Sequence, residues 1–379
     1  MNKEIIELRH QLHQNPEVSN NEYITSETVS SFIEKFSPDE IISLSRTGMA
    51  FVFKGKSIGK TLMFRAELDA LPISESSGLN YSSSIPNVAH SCGHDGHMAI
   101  IAGLAQRIAD KRPERGRVVL LFQPSEEIGQ GAKDIIEDDN FKRIEPDYIF
   151  ALHNIPGVEM HKILLKEGSF AAASKGMTVK LIGKTSHAAE PENGINPASA
   201  IALIIQNLQD LIKNSNQFKD LTLLTIIHIQ LGEIAFGTSP GYAEICITLR
   251  AFENEDMELL TQLTEKTIKG ISDEQKLNFD ISYSEVFPAT VNNNEGLSIV
   301  EKAVFENNLK SEFLLKPFKW SEDFAYYALK YNACIFGLGS GTNHPQLHNS
   351  DYDFPDEIIE TGINMFYSIY KSINLIGYD

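Results

Sequence analysis

The order of strands and helices changes near Lys175 and changes back near Pro288, and any fold for this chain must accommodate both breaks. Before the first break, Ile5, Leu8 and Leu12 share one helical face, and Val29, Phe32, Ile33 and Phe36 repeat the spacing after an Asn-Pro-Glu interruption. Short apolar runs follow, AFVFKG and TLMFRAELDA, then a helix over Gly96 to Asp110 with Met98, Ile101, Ala105 and Ile108 in one stripe. RVVLLFQ, QGAKDIIEDD and DYIFALH continue as strand, helix and strand. Such alternation predicts a sheet covered by helices on both faces. After Lys175 the order becomes a strand in MTVKLIGK, a long amphipathic helix in NPASAIALIIQNLQDLIKN and two strands in LTLLTIIHIQLG and YAEICITLRAF. A helix in DMELLTQLTEKTIKGI and a strand in KLNFDISYSEVF complete it. That β-α-β-β-α-β order suits a four-stranded sheet with two helices on one face. From Pro288 the chain returns to helix, strand and helix through GLSIVEKAVFENN, SEDFAYYALKY, ACIFGLG and IIETGINMFYSIYKSI. The predicted architecture is an α/β domain with a mixed sheet flanked by helices, formed by residues 1–175 and 288–379. A smaller α+β, ferredoxin-like domain interrupts it at 176–287.

Charge and composition narrow the partners. With 33 Lys+Arg against 51 Asp+Glu the formal net charge is −18, which repels polyanions and argues against nucleic acid. No apolar run approaches the roughly 20 residues that span a bilayer. The first segment, MNKEIIELRHQLHQNPE, lacks the apolar stretch of a secretory signal, and no membrane partner is expected. The three cysteines, Cys92, Cys246 and Cys334, are far apart and odd in number, which predicts a reducing, cytoplasmic setting rather than a disulfide framework.

The chemistry concentrates in HSCGHDGH, His90 to His97, directly before a helix. Cys92 and His94 lie two positions apart on a loop that can turn both donors to one centre. A thiolate with an imidazole suits borderline-soft ions such as zinc, and imidazole with carboxylate also suits nickel, cobalt or manganese. QPSEE, Gln123 to Glu127, follows the carboxyl end of a predicted strand, where open α/β sheets bind ligands. Of two adjacent carboxylates there, one can ligate metal while the other takes a proton; a solvated acidic helix start is the equally simple alternative. His153 closes the DYIF strand and His348 lies in QLHNSDYDF after the last strand. Either histidine alone would read as structural, and it is their conjunction with the other pieces that points to a site. Asp69, in RAELDALP, is a candidate to orient a ligand imidazole, or else a cap for the turn that Pro72 enforces.

Other motifs fail. GKSIGKT is one residue short of a Walker A loop and precedes a strand, and neither a G-x-S-x-G elbow nor an H-E-x-x-H helix occurs. Cys92 as a bare nucleophile would leave Glu126, Glu127, His153 and His348 without a role. Cys246 and Cys334 read as small core residues in strands.

In this order the pieces resemble the metal-dependent amidohydrolases that include hippurate hydrolase, plant auxin-conjugate hydrolases and bacterial N-acetyl-amino-acid deacetylases. These are a branch of the wider aminoacylase and carboxypeptidase G family. The resemblance runs from RHQLHQNPE to LHNSDYDFPDE, nearly the whole chain, through five separated motifs. It implies a two-metal site on Cys92, His94, Glu127, His153 and His348, with the Cys92 thiolate bridging, and a general base at Glu126. It also implies that 1–175 and 288–379 form the catalytic domain, while 176–287 forms a lid through which such enzymes become homodimers. His187, in SHAAEP, falls on a histidine that reaches across the dimer to polarise the scissile carbonyl. Arg250, in ITLRAF, falls where relatives hold an arginine near the substrate carboxylate.

Two positions depart from the family. Gly237 stands where relatives carry an asparagine that helps bind substrate, and Glu192 where many carry a second histidine after the SHAAEP proline. Both bear on substrate choice and leave the metal donors and base intact. The expected function is hydrolysis of the amide of a small N-acyl amino acid, by metal-activated water with Glu126 as base and Asp69 and His187 assisting. A dipeptidase or carboxypeptidase using the same two-metal site is the close alternative. A metal-binding homologue without catalysis is the third, disfavoured because a pure binder has no use for Glu126 or His187.

Overall fold

The computed structural model describes residues 3–213 and 215–374, which divide into two compact units. The first comprises residues up to Phe170, Thr290–Pro317 and the chain from Glu322 onward. It opens with helices α1 (Lys3–Gln14) and α2 (Tyr23–Glu34) and strands β1 (Glu40–Ser43), β2 (Met49–Lys54) and β3 (Ser57–Glu67). Next come α3 (His94–Asp110), β4 (Arg115–Gln123), α4 (Gly131–Glu137), β5 (Tyr148–Ile155), β6 (Ile163–Leu165) and β7 (Gly168–Ala171). The second unit, Ala171–Ala289 with Phe318–Ser321, holds β8 (Ala173–Ile182), β9 (Ser186–His187), α5 (Ala198–Lys213), β10 (Thr222–Leu231), β11 (Thr238–Ser239), β12 (Tyr242–Ala251), α6 (Asn254–Glu274) and β13 (Asn278–Phe287). The first unit then closes with β14 (Thr290–Asn292), α7 (Asn294–Glu306), β15 (Ser311–Phe313), α8 (Ala325–Ala328), β16 (Asn332–Gly339) and α9 (Ile359–Asn374).

The large sheet is mixed and eight-stranded, in the order β1-β2-β4-β3-β5-β16-β6-β15. Its centre, β4-β3-β5-β16, is parallel throughout. The carboxyl ends of these strands therefore emerge along one edge. Apolar side chains on both faces explain why these runs do not alternate: all eight residues of β5 are buried. Phe64, Val118, Leu120 and Phe150 share one core with Leu8 and Leu12 of α1, Met98 and Ile101 of α3, and Phe366 and Ile369 of α9. Helix α3 departs from the expected single apolar stripe, being buried at every residue from His94 to Ala105. The reason is that α1, α2, α9 and the sheet surround it. The expected helix over SEDFAYYALKY shrinks to the four residues of α8, because Glu322 and Asp323 turn inward and are buried.

In the second unit, β12 alternates: Ala243, Ile245, Ile247, Leu249 and Ala251 are buried while their neighbours are partly exposed. They pack with Ile204 and Leu208 of α5 and Leu260 and Ile268 of α6 over a sheet ordered β10-β12-β8-β13. Phe318–Ser321 belongs here because Ala172 N–H donates to the Phe318 and Trp320 carbonyls, and Arg250 donates to Lys319 O (2.9 Å) and Ser321 Oγ (3.1 Å). Cys334 is buried in β16, whereas Cys246 is only part-buried, since it falls on the β12 positions that face away from the helices.

Helix α1 carries a buried ionic network as well as apolar side chains. Arg9 lies 3.2 Å from Asp95 and 2.6 Å from Asp353, and His13 Nδ1 lies 2.9 Å from Asp95. Burial opposes a charge on His13, yet Asp95 and Glu75 outweigh it and raise its pKa from 6.5 to about 10. Such a group stabilises the fold fully below its unfolded value and ceases to do so as pH climbs through the folded one. The unfolding free energy should therefore fall between pH 6.5 and about 10, and denaturant titrations of His13→Gln should show that slope flattened.

Candidate metal centre

The donors converge along the carboxyl edge of the parallel strands, each delivered by a different loop. Asp69 follows β3, Glu126 and Glu127 follow β4, His153 sits near the carboxyl end of β5, and His348 lies in the loop after β16. Cys92 and His94 come from the turn into α3, whose entry residue Gly93 has φ +93°. A Cβ there would lie 2.7–2.9 Å from the Asn154 side chain, so glycine is required both for backbone and for space. Ser125 (φ +54°) and His348 (φ +64°) hold left-handed backbone without being glycine. For Ser125, a set of hydrogen bonds to Glu22 and Asn20 holds that conformation next to Glu126.

Donor atoms gather in overlapping groups whose members lie within 4.8 Å of one another. One group is Cys92, His94 and His153; a second is Cys92, Glu127 and His348; a third is His94, Glu126 and Glu127. Cys92, His94 and Glu127 each belong to two of these three groups, so the donors form one continuous cluster. Its Sγ lies 3.6 Å from His153 Nε2, while Glu127 lies 3.8 Å from both His94 Nε2 and His348 Nε2. His348 is the one donor here with a half-exposed side chain, at 52%.

Hydrogen bonds to carbonyls settle which nitrogen faces the site. His94 Nδ1 is 2.7 Å from the Asp69 carbonyl oxygen and His153 Nδ1 is 2.9 Å from the Asn154 carbonyl oxygen. A carbonyl only accepts, so in each ring Nδ1 carries the proton and Nε2 presents a lone pair. Asp69 thus holds His94 through its main chain rather than through the expected carboxylate, which stands 3.7 Å away. That carboxylate instead accepts from the backbone N–H groups of Glu126 (3.1 Å) and Glu127 (3.0 Å) and from Ser19 Oγ (2.7 Å).

Several residues here were not singled out from the sequence. His97 lies between Glu67 (2.7 Å to Nδ1) and Asn154 Oδ1 (2.6 Å to Nε2). With oxygen acceptors on both nitrogens, and Glu67 outweighing the burial that opposes charge, its pKa is raised. Burial pushes Glu67 up, but Arg65 and then His97 bring it well below the usual carboxylate range. His97 is therefore better described as the hydrogen-bonded partner of Glu67 than as a metal donor. Arg65, Glu322 and Asp323 complete the set; all are buried. A signal for Arg65 and Glu67 was present: they share one face of a run, Leu62 to Glu67, that otherwise reads as apolar.

Electrostatics favour a cation among these donors. Burial, then Glu127 and Glu126, raises the Cys92 thiol well above its ordinary value, and burial with Glu322 and Asp69 among its causes raises the two glutamates. Burial lowers His153 to about 3, which keeps the ring neutral. His94 Nε2 and Glu127 Oε1 are buried and without hydrogen-bond partners. A thiol, neutral imidazoles and carboxylates, with buried donor atoms left over, fit divalent metal. In the second unit, His187 is exposed on β9, which pairs with β11 (Thr238↔His187). Arg250 is part-buried and pairs with no carboxylate among the described residues.

A mixed α/β sheet with such a donor set at the carboxyl ends of its strands is an arrangement suited to holding divalent metal. The chain belongs to peptidase family M20/M25/M40, whose model matches residues 63–372. It is 32% identical over 358 residues to the hippurate hydrolase of Campylobacter jejuni, covering 94% of this chain and 93% of that one. It is 29% identical over 378 residues to the N-acetyldiaminopimelate deacetylase of Bacillus velezensis, covering 98% and 99%. Among solved structures, a candidate aminohydrolase from methicillin-resistant Staphylococcus aureus matches with TM-score 0.90 and 26% identity, covering 98% of this chain and 96% of that one. A Bacillus subtilis protein described as a dinuclear metal-binding peptidase of the M20 family matches with TM-score 0.83 and 25% identity, covering 98% of each chain.

Because burial and the neighbouring Glu127 and Glu126 raise the Cys92 thiol well above its ordinary value while only the thiolate ligates well, metal binding should expel a proton. Adding zinc or manganese to metal-free protein should release protons, measured as buffer-dependent heat in calorimetry, and affinity should rise with pH. Cys92→Ala should reduce that release, the raised Glu126 and Glu127 carboxyls still contributing, and lower the bound metal per subunit; an unchanged metal count would take Cys92 out of the site.

Proposed function

We propose that the protein hydrolyses the amide bond of N-acyl amino acids, with Glu126 as general base. The observation that carries this is the placement of the Glu126 carboxylate. One oxygen accepts from the Asp323 N–H (3.3 Å), while the other stands 3.9 Å from the free Nε2 of His94, beside the clustered donors. The relatives support the substrate class, since hippurate, N-acetyldiaminopimelate and, for a Bacillus subtilis deacetylase 30% identical over 377 residues, N-acetyl-L-cysteine all join an acyl group to an amino-acid nitrogen.

Cys92, His94, Glu127, His153 and His348 would hold two divalent ions, of zinc, manganese, nickel or cobalt. Bound there, such ions supply Lewis acidity, making water a stronger acid and a carbonyl carbon more electrophilic. Glu126 accepts the proton of the attacking water and returns it to the leaving amine. Burial, with Glu322 and Glu127, raises its pKa, the direction that suits a group that must hold the proton between the two steps. Asp69 fixes the backbone of Glu126 and Glu127 and the ring of His94. Arg250 offers its charge to the substrate carboxylate.

His187 would serve the active site of a second copy, as hydrogen-bond donor to the developing oxyanion. The second unit would then be the lid and dimerisation domain. Two features support a homodimer: β10 is an edge strand with Ile227, Ile229 and Leu231 exposed, and Ile234 and Phe236, in the loop before β11, are almost wholly exposed. A cytoplasmic location is supported by three free cysteines. No described helix is long and apolar enough to cross a membrane. A second reading, a peptidase, is favoured by the description of the Bacillus subtilis structure as a peptidase. Parallel assays of N-acetyl amino acids, hippurate and dipeptides separate it from a deacylase.

Glu126→Gln should keep fold and metal content while lowering kcat by about 10²–10⁴; near-normal turnover would exclude Glu126 as the base. A Cβ at Gly237 would meet no atom within 4 Å, and the residue has no left-handed φ, so Gly237→Asn should fold normally. If position 237 touches substrate, the new amide should lower KM for N-acyl amino acids by roughly 2–10-fold, the worth of one hydrogen bond. An unchanged KM would place the position outside the substrate site.

A further inference from the structure

Arg65 is fully buried on β3, and its guanidinium serves four acceptors on three separate parts of the chain. Nε donates to Gln123 Oε1 (2.9 Å) at the end of β4. One terminal nitrogen donates to Glu67 on its own strand. The other faces Asp323 Oδ1 (2.6 Å) and Glu322 Oε1 (2.9 Å), which enter from the segment before α8. Gln123 closes the ring by donating Nε2 to both Asp323 oxygens (2.8 and 2.9 Å), and the Ala132 N–H adds a bond to Oδ2 (2.9 Å). Asp323 is thereby held on every side, and its own N–H is the donor that grips Glu126 Oε1 (3.3 Å).

A buried ion cluster of this size is a poor device for stability alone, since apolar side chains of similar volume do as well. Its geometry serves direction instead. The cluster has two outlets, and both lead to the proposed site. Asp323 leads to the carboxylate of Glu126. Glu67 leads through His97 to Asn154, the residue after His153.

We infer that Arg65 is the positioning residue for Glu126, locking the Asp323 main chain so that its N–H holds one oxygen of the base and leaves the other free for water. The inference rests on Glu126 being the general base. Lysine would keep the charge but cannot present a planar fork to four acceptors in different directions. A base displaced by about 1 Å can lose on the order of 10²-fold in rate.

The test compares Arg65→Lys, Glu126→Gln and the double variant in metal-loaded protein, with metal content, kcat and KM measured on the best N-acyl amino acid. Arg65→Lys is expected to lower kcat by about 10²-fold, with KM within about twofold and metal content unchanged. In the Glu126→Gln background it should cost nothing further, because its effect runs through the base. A crystal structure of Arg65→Lys should show the Glu126 carboxylate turned away from the Asp323 N–H. Unchanged kcat, loss of metal in step with kcat, or a further loss of the residual rate in the double variant would each overturn the assignment. If Arg65→Lys does not fold, Asp323→Asn carries the same comparison, since it keeps the N–H while weakening the grip of Arg65. Should Glu126→Gln itself retain turnover, the proposed base is wrong; if only Arg65→Lys does, the positioning role alone falls.

Discussion

The crowd of acidic side chains buried along the carboxyl edge of the parallel strands is the constraint on which the rest of this structure turns. Glu67, Asp69, Glu126, Glu322 and Asp323 are all buried, with Glu127 and the Cys92 thiol beside them. Isolated carboxylates cannot be held in such surroundings without compensation. Arg65 supplies part of it, and the hydrogen bonds from the His97 ring to Glu67 and from backbone N–H groups to Asp69 supply more. What remains, centred on Cys92, Glu127 and the lone pairs of His94 and His153, suits a small, highly charged cation. The metal donors and the stabilising network thus form one electrostatic unit.

The architecture delivers these groups because β4, β3, β5 and β16 are parallel neighbours. Loops that are distant in sequence must then meet at one end of the sheet. The buried helix α3 brings His94 and Cys92 to the same edge, and α1 braces its first turn through Arg9, His13 and Asp95. A rigid frame beneath strained loop positions such as Ser125 and His348 allows those conformations to persist.

Much of the candidate site was legible in the sequence because its candidate donors are rare residue types crowded into short motifs. His90 to His97 and Glu126-Glu127 attract notice without any structure. The general division into a sheet flanked by helices was also readable, from apolar periodicity. What escaped was the supporting polar network. Arg65 and Glu67 were hidden inside an apparently ordinary buried strand, and Glu322 and Asp323 looked like the solvated start of an amphipathic helix. Local pattern reports the usual exposure of a residue type, and here tertiary partners reversed it. The role of Asp69 shifted for a related reason: a sequence names its carboxyl group, yet the atom that meets His94 is its carbonyl oxygen.

The sequence by itself determined the chemistry of the candidate donors, since Cys92, His94, Glu127, His153 and His348 are a thiol, imidazoles and a carboxylate whatever the fold. It also determined the two patterns of alternation, because strand and helix periods are written locally. Only the tertiary structure decided which lone pairs face inward, which carboxylates are charged, and that one guanidinium binds β3, β4 and the segment before α8 together. Those outcomes depend on hydrogen bonds and desolvation between residues up to 258 positions apart. No local pattern encodes them, because each exists only once the sheet has closed around its partners.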